Sequence, residues 1–202
     1  WSWRGCPPGA RTYSHAMFTV GEYIYAIGGN GPHDYNRRYH PASDNWDWRD
    51  PIIGDNGRAC GRYCARGGVV NDRIYIGFGA SCESGWTRSM VRYNVADNNW
   101  SVMRGGNFGQ REHATAVVGD WIYFMGGNTS GAPDGDPHPN DSVQRYNVPN
   151  NSWENWRNTP NRRGNSAAVG GPDGRLYYVN GTERHNLACP CPTDGHAFDF
   201  QR

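Results

Sequence analysis

Short runs of apolar and aromatic residues recur along the chain, each about five residues long and bounded by turns rich in Gly, Asn and Asp. Only two leucines, Leu176 and Leu187, stand beside 28 glycines, 9 tryptophans and 12 tyrosines. This composition does not support an apolar stripe with a helical period, whereas it suits twisted strands joined by tight turns. The pattern predicts an all-β protein with little helix.

Four segments repeat one order of elements: an inner strand, a short turn, an apolar-aromatic strand that ends near glycine, and a third strand. Self-similarity of this kind is the signature of a repeat architecture. The first two strands of the four segments are 14–20 with 23–29, 64–70 with 74–79, 113–118 with 122–127, and 166–169 with 176–181. The third strands are 37–40, 89–95, 142–148 and 196–200.

The first three segments lead through polar turns into a tryptophan, at Trp46, Trp100 and Trp153, and the fourth lacks this residue. The opening Trp1-Ser2-Trp3-Arg4 matches Trp46-Asp47-Trp48-Arg49 in both tryptophans and in the arginine. We therefore expect residues 1–4 to pair beside the last strand and to close a ring, which removes the unpaired edges of an open sheet array.

Three features of the repeat resemble the Kelch repeat. They are a glycine pair that ends the second strand, as at Gly28-Gly29 and Gly126-Gly127, a tyrosine in the third strand, and a tryptophan that opens the fourth. The resemblance covers nearly the whole chain, with departures at Gly77-Phe78-Gly79 and Asn180-Gly181. It implies a β-propeller, and the tryptophan spacing fits about 50 residues per blade. We predict one closed, four-bladed domain over residues 1–202, with blades at about 11–49, 62–103, 111–157 and 163–202 plus 1–4. A two-chain ring of eight blades and a part of a larger ring remain open.

The formal net charge of +1 favours neither nucleic acid nor an anionic membrane as a partner, and no apolar run is long enough to span a bilayer. No signal peptide is visible, so a chain that begins at Trp1 is expected to be already processed. An even number of cysteines in a loop-rich chain favours disulfides, an oxidising compartment and a secreted protein. The cysteines are Cys6, Cys60, Cys64, Cys82, Cys189 and Cys191, and the candidate glycosylation sites are Asn99, Asn128, Asn140, Asn150 and Asn180.

If the chain is a propeller, its long loops fall on one face. Function usually lies where a rigid scaffold displays such loops. An arginine stands near the start of every inner strand, and a ring of guanidinium groups suits carboxylate, sulfate or phosphate. Aromatic and polar loop residues are candidates for a sugar-binding platform. The ligand-binding candidates are Arg11, Arg66 (or Arg62), Arg111, Arg163, His33, Asp34, Tyr35, Trp86, Arg184 and His185.

No cofactor is predicted, although the oxygen donors Asp134, Asp136 and Asp141 are candidates for a calcium site. The preferred function is an extracellular, lectin-like binding module for a glycan or another anionic ligand, without enzymatic activity. A structural or protein-assembly propeller, with oligomerisation possible, is the alternative. A copper oxidase resembling galactose oxidase is less favoured, because Tyr39-His40 lies away from the axis and no copper motif is found.

Overall fold

The computed structural model describes residues 4–30, 34–83, 85–129, 138–179, 181 and 195–198. These residues contain strands and no helix, which confirms the all-β prediction. The strands in chain order are β1 (Ala16–Val20), β2 (Tyr23–Ile27), β3 (Asn36–His40), β4 (Asn45–Trp48), β5 (Arg62–Tyr63), β6 (Arg66–Val70), β7 (Arg73–Gly77), β8 (Ala80–Ser81), β9 (Gly85–Trp86), β10 (Met90–Asn94), β11 (Asn99–Met103), β12 (Gln110–Arg111), β13 (Ala114–Val118), β14 (Trp121–Met125), β15 (Asn128–Thr129), β16 (His138–Pro139), β17 (Val143–Asn147), β18 (Ser152–Trp156), β19 (Ala167–Gly170), β20 (Leu176–Val179) and β21 (Gly195–Phe198).

The principal strands form four antiparallel meanders, here called units one to four. Their strand orders are β1-β2-β3-β4, β6-β7-β10-β11, β13-β14-β17-β18 and β19-β20-β21. The strands β1, β6, β13 and β19 are the inner strands of the four units, and they lie side by side in that order. Smaller three-stranded sheets, β5-β8-β9 and β12-β15-β16, flank the starts of two inner strands.

Apolar side chains of neighbouring units pack face to face and form the core. Phe18 and Ile27 of unit one share a buried cluster with Ile74 and Val91 of unit two. A second cluster joins units two and three, and a third joins units three and four. Because units one, two and three each bury one face against the next unit, the four units form a continuous stack of sheets.

The second residue after each second strand has no room for a side chain. A Cβ on Gly127 (φ 81°) would lie 2.8 Å from the His113 Cα, and one on Gly79 (φ 81°) would lie 2.9 Å from the Ala65 Cα. The unit-two sequence keeps this second glycine, and Phe78 adopts a positive φ of 63° where units one and three have the first glycine. The departure Gly77-Phe78-Gly79 therefore preserves the backbone path of the repeat.

The same set of polar contacts joins unit one to unit two, unit two to unit three, and Gly5 to unit one. An Asp or Asn in the left-handed conformation precedes the fourth strand. Its side-chain oxygen accepts two hydrogen bonds. One comes from the tyrosine hydroxyl of the third strand, and the other comes from a backbone N–H that lies one repeat earlier, where a fourth strand ends. The three sets are Tyr39, Asp44 and Gly5 (2.6 and 2.9 Å), Tyr93, Asn98 and Asp50 (2.6 and 3.1 Å), and Tyr146, Asn151 and Arg104 (2.7 and 3.0 Å).

The tryptophan of each fourth strand completes the junction. Its Nε1 donates to the carbonyl of the same preceding residue: Trp46 to Gly5 (2.9 Å), Trp100 to Asp50 (2.9 Å) and Trp153 to Arg104 (2.7 Å). Gly5 therefore occupies the position of a residue that follows a fourth strand, in agreement with the match of residues 1–4 to residues 46–49. Residues 1–3 lie outside the described residues, so their pairing stays a prediction.

Closure of the ring by four units also stays a prediction, as do the blade boundaries. In the described ranges β19 packs on β13, and no comparable packing joins β19 to β1. No helix among the described residues has the length and hydropathy needed to span a membrane.

Candidate functional site at the axial mouth

Four residues just before the inner strands share an unusual backbone conformation. Ser14, Cys64, Glu112 and Asn165 have φ values of 57°, 54°, 55° and 54°. The N–H of each donates to the carbonyl of its counterpart in the preceding unit, with distances of 3.0 Å (Cys64 to Ser14), 3.2 Å (Glu112 to Cys64) and 2.8 Å (Asn165 to Glu112). The left-handed region costs an L-residue about 1 kcal/mol or more, and such strain clusters at functional sites. We call the surroundings of these four residues the axial mouth.

The short sheets bring Asn128 to the axial mouth. Arg111 pairs with Asn128 across β12 and β15, and the Asn128 Nδ2 donates to the Glu112 Oε2 at 2.6 Å. Asn128 is buried, with 1% of its surface exposed. The amide therefore fixes the orientation of a carboxylate that is only half-buried.

Cys64 lies between charged groups but is held neutral. Its Sγ is 3.8 Å from the Glu112 Oε1. Burial raises the pKa of the Cys64 thiol, and the Glu112 charge adds to this, whereas Ser14, Arg66 and Arg111 oppose it. A thiolate nucleophile needs a lowered pKa, so the geometry favours a packing role for this thiol.

Arg66 departs from the repeat at the axis. The equivalent residue in the other three units is alanine, at Ala16, Ala114 and Ala167. The half-buried Arg66 donates from Nη1 to the Ala65 carbonyl at 3.0 Å. Within the described residues it has no carboxylate partner, unlike Arg38 and Arg145, which pair with carboxylates. A guanidinium in this state is available to an anion.

Arg111 lies over the ring of Trp86, with its Cζ 4.1 Å from the ring centroid. Trp86 in turn lines an open cleft of about 540 Å³ together with Asp55, Arg88 and other residues of unit two. Stacking holds the guanidinium plane in place without neutralising it. Trp86 and Arg111, both predicted ligand-binding residues, are therefore brought together.

Two histidines lie near the mouth and differ in surroundings. Burial lowers the pKa of the half-buried His15, and Arg37 and Arg66 lower it further. His113 is fully buried between Phe78 and Phe124, and burial lowers its pKa to about 3. Both imidazoles are neutral at pH 7, and His113 belongs to the core.

The other predicted arginines do not form a symmetric ring. Arg11 is exposed, whereas Arg62 and Arg163 are buried. Arg62 donates to the Ile53 carbonyl at 3.1 Å, and burial lowers its pKa to about 10. The arginines fail to form a ring because they occupy different positions relative to the left-handed residues, so only Arg66 and Arg111 surround the Cys64 thiol.

The predicted aromatic platform is only partly present. Tyr35 packs edge-on against Trp48, with the ring centroids 4.8 Å apart, and the half-buried Asp34 accepts a backbone hydrogen bond from Ile52. Tyr35 therefore serves the packing of the first loop. His33, Arg184 and His185 lie outside the described residues.

One disulfide is confirmed, between Cys60 and Cys82. The expectation that every cysteine is bridged is wrong for Cys6, a free exposed thiol, and for Cys64, a free buried one. Cys64 is unpaired because its Sγ faces Glu112 across the axial mouth. Cys189 and Cys191 lie outside the described residues.

Two of the glycosylation candidates use their Nδ2 atoms in hydrogen bonds: Asn128 donates to Glu112, and Asn140 donates to the Gly127 carbonyl at 2.8 Å. Asn99 and Asn150 are exposed. Glycosylation at all four sites stays a prediction. Asn180 and the calcium candidates Asp134 and Asp136 lie outside the described residues, and Asp141 is half-buried. Within the described residues, no group of three or more His, Cys, Asp or Glu is placed to hold a metal.

Three known proteins are similar to the chain, although no protein-family profile matches it. N-acetylneuraminate epimerase from Vibrio cholerae is 32% identical over 96 residues, which are 46% of this chain and 24% of that protein. Kelch-like protein 36 from Bos taurus is 24% identical over 177 residues, 85% of this chain and 27% of that protein. A solved structure, titled "Structure of YjhT", superimposes with a TM-score of 0.70 at 14% identity and covers 90% of this chain and 62% of that one. The chain has the fold of that structure, and its similarities are consistent with a Kelch-repeat propeller.

The similarity to these relatives changes one prediction about the chain. The expectation of a protein without enzymatic activity is wrong, because one relative is by name an epimerase and this similarity points to enzymatic activity. The alignments span about a quarter of the length of the two curated relatives.

Sequence reasoning missed Glu112 and His15 at the mouth. A signal for Glu112 was present, because aligning the four inner strands puts Ser14, Cys64, Glu112 and Asn165 in one column of polar residues. Their left-handed conformation and their shared hydrogen bonds, however, are visible only in three dimensions.

Proposed function

We propose that the axial mouth binds the carboxylate of an acidic sugar of the N-acetylneuraminate type and catalyses inversion at its anomeric carbon. The observation that carries the proposal is the presence of two guanidinium groups without carboxylate partners among the described residues, Arg66 and Arg111, beside the oriented carboxylate of Glu112. Paired donors recognise a carboxylate, and a fixed carboxylate transfers protons.

Inversion at the anomeric carbon needs proton transfer alone. A base takes the proton of the anomeric hydroxyl, the bond between the anomeric carbon and the ring oxygen breaks, and the ring oxygen accepts a proton. The open-chain ketone then rotates, and its hydroxyl returns a proton to water as the oxygen adds to the opposite face of the carbonyl. The base returns the first proton to the new anomeric oxygen.

The residues of the mouth have matching roles. Glu112 takes the anomeric proton, and Asn128 holds its second oxygen in place. Arg66 and Arg111 bind the sugar carboxylate, with Trp86 fixing the plane of Arg111. Water at the open mouth protonates the ring oxygen. His15 stays neutral because burial and the nearby Arg37 and Arg66 lower its pKa, so it serves as a hydrogen-bonding partner for hydroxyl groups.

Two further facts support this assignment. One relative is named for an epimerase that acts on N-acetylneuraminate. Arg66 replaces the alanine of the three other units at the axis, where a repeat built only for packing has no use for a charge.

Exchange between the two anomers of N-acetylneuraminate, measured by magnetisation-transfer NMR, tests the proposal. The protein is expected to accelerate exchange, and Glu112→Gln is expected to lower kcat by about 100-fold or more, as loss of a general base does. Arg66→Ala is expected to raise KM by at least about tenfold, because a charge-assisted hydrogen bond contributes roughly 1.5–3 kcal/mol.

Arg73→Ala is the matched control, because Arg73 is an exposed arginine at the start of β7, at the opposite end of the inner strands. It should leave kcat and KM unchanged. A neutral sugar without the carboxylate should neither bind nor exchange faster. Binding of N-acetylneuraminate without acceleration would replace the epimerase with the lectin-like module, and absence of binding would reject both.

A protein-assembly role is the second candidate. It is supported by the similarity to Kelch-like protein 36 and by exposed apolar side chains on the two end units, Met17 and Val169. Secretion remains a proposal that the Cys60–Cys82 disulfide supports, since such bonds persist in oxidising compartments. A titration of free thiols in protein isolated from its natural source tests it, and a reduced Cys60–Cys82 pair would count against it.

A further inference from the structure

An open cleft leads from the axial mouth toward the outer edge of unit two. Trp86 lies at its inner end, where the Arg111 Cζ is 4.1 Å from the ring centroid, and Val102 and Met103 of the outer strand β11 line its far end. The volume of about 540 Å³ falls within the ~300–1,000 Å³ of small-molecule sites. The chemistry assigned to the mouth leaves this cleft without an occupant.

Two chain segments run side by side along the cleft and fix the order of its side chains. At the mouth Arg111 stacks on Trp86. Farther out the Gly106 N–H donates to the Arg88 carbonyl at 2.8 Å, and a Cβ on Gly105 would lie 3.0 Å from that same carbonyl oxygen. Arg88 is therefore held two residues beyond Trp86, within about 7 Å along the backbone.

Arg88 lines the cleft with an exposed side chain. Its Nη1 donates a long hydrogen bond of 3.5 Å to the Asn107 carbonyl, and no carboxylate among the described residues pairs with it. Its remaining N–H groups are therefore available to an anion. The paired donors of a guanidinium match the two oxygens of a carboxylate.

The other lining residues suit a sugar. Trp86 offers an aromatic ring, and Val102, which is 44% exposed, offers a small apolar surface for a methyl group. The exposed Asp55 also lines the cleft, and its carboxylate oxygens accept hydrogen bonds from hydroxyl groups. A carboxylate in the same cleft as Arg88 disfavours a densely charged phosphate or sulfate cluster, whereas an acetylated sugar with one carboxylate uses all four groups.

The mouth determines which end of a sugar chain enters. In the proposed function Glu112 acts on a free anomeric hydroxyl, so the residue in the mouth must be the reducing end of a chain. Its carboxylate binds Arg66 and Arg111. The next residue is attached away from the anomeric carbon and extends out of the mouth. Because the cleft begins at Trp86, which contacts Arg111, it offers this second residue a place.

We propose that the cleft is a second sugar subsite and that the protein binds short chains of N-acetylneuraminate-type acid sugars by their reducing end. The terminal residue occupies the mouth, the next residue packs on Trp86 and Val102, and the carboxylate of that second residue binds Arg88. Because the subsite extends the proposed function of the mouth, it rests on that function and defines the length of its substrate.

Isothermal titration calorimetry with N-acetylneuraminate and with its α2,8-linked dimer tests the second subsite. The dimer is expected to bind about tenfold more tightly than the single sugar. An exposed charge pair contributes up to about fivefold in affinity, and packing of the second sugar on Trp86 and Val102 supplies the rest. Because Arg88 is exposed, high salt should reduce this advantage of the dimer by screening the charge pair.

Arg88→Ala should lower the advantage of the dimer to about twofold, since it removes the guanidinium that binds the second carboxylate. Arg104→Ala is the matched control, because Arg104 is also exposed, precedes Gly105 and does not line the cleft. This control variant should keep the advantage of about tenfold. Both side chains are exposed, so neither substitution should change the melting temperature by more than about 2 °C.

The outcomes separate the second subsite from the proposed function of the mouth. Equal affinities for the single sugar and the dimer would overturn the subsite alone. A dimer advantage that Arg88→Ala keeps, or that Arg104→Ala removes equally, would do the same. Tight dimer binding that depends on Arg88, without faster exchange between anomers, would support the subsite and reject the epimerase. Absence of binding by both sugars would reject the mouth and the subsite together.

Discussion

The junction residue Asn151 offers a sharp test of how the units are held together. Its Oδ1 accepts the Tyr146 hydroxyl at 2.7 Å and the Arg104 N–H at 3.0 Å, and its φ is 47°. Asn151→Ala removes both hydrogen bonds and forces alanine into the left-handed region. The Tyr146 side chain is fully buried, so its hydroxyl is left without its partner.

The expected loss follows from these three effects. An unpaired buried hydroxyl costs about 1–3 kcal/mol, and the exposed hydrogen bond to Arg104 contributes about 0.5–1 kcal/mol. Alanine at positive φ adds about 1 kcal/mol. Asn151→Ala should therefore lower the free energy of unfolding by about 3 kcal/mol, whereas Asn151→Gly, which tolerates the backbone conformation, should lower it by about 2 kcal/mol.

Urea unfolding at 25 °C measures both variants through the midpoint shift at unchanged slope. Asn150→Ala is the matched control, because Asn150 is an exposed neighbour whose side chain has no hydrogen bond among the described contacts, and it should change stability by less than about 0.5 kcal/mol. If Asn151→Ala behaves like Asn150→Ala, the hydrogen bonds at the junction do not hold the units together.

Three further predictions concern the core, the disulfide and the backbone. The folded pKa of His113 is about 3, below the unfolded value of 6.5, so the unfolded state binds the proton first and stability falls as the pH drops from 6.5 to 3; His113→Phe should remove up to about 1.4 kcal/mol per pH unit of this slope. Replacing Cys60 and Cys82 by serine opens a loop with a sequence separation of 22 and should cost about 3 kcal/mol in non-reducing urea unfolding. Gly127→Ala places a Cβ 2.6 Å from a carbonyl oxygen and should cost at least about 2 kcal/mol more than Gly119→Ala, which has a positive φ but open space.

Each of these has a decisive counter-result. An unchanged acid limb of the stability curve in His113→Phe would mean that this imidazole takes up its proton without unfolding. Equal unfolding midpoints with and without reductant would show that the disulfide does not constrain the loop. Equal losses for the two glycine variants would mean that the close approach to the inner strand is absent.

The repeat was predictable because its signals are local. Each fourth strand opens on a tryptophan after a polar turn, and the same turn in three units gives the same left-handed Asp or Asn. The match of residues 1–4 to residues 46–49 predicted a fourth strand at the start of the chain, and the contacts of Gly5 agree with it. Such patterns reflect steric rules within a few residues.

The site was not predictable because it is built from non-local pairings. An even number of cysteines suggests disulfides but does not show which cysteines lie close together. The sequence therefore could not show that Cys64 faces Glu112. The sequence around Asn128 matches a glycosylation motif, yet the pairing of β12 with β15 buries that amide against a carboxylate. Arginine counts likewise could not separate Arg62, whose donors bind carbonyls, from Arg66, which has no carboxylate partner in the described residues.

The candidate site of this repeat protein lies where the repeat breaks. Positions that join the units are nearly invariant from unit to unit, because each must make the same contacts with a tyrosine, a tryptophan and a backbone N–H. The left-handed residues at the axis are fixed in backbone conformation but differ in every side chain, and Arg66 stands where the other units have alanine. Because the junction contacts repeat while the residues at the axis vary, the units can hold a carboxylate, two guanidinium groups and a thiol within the axial mouth.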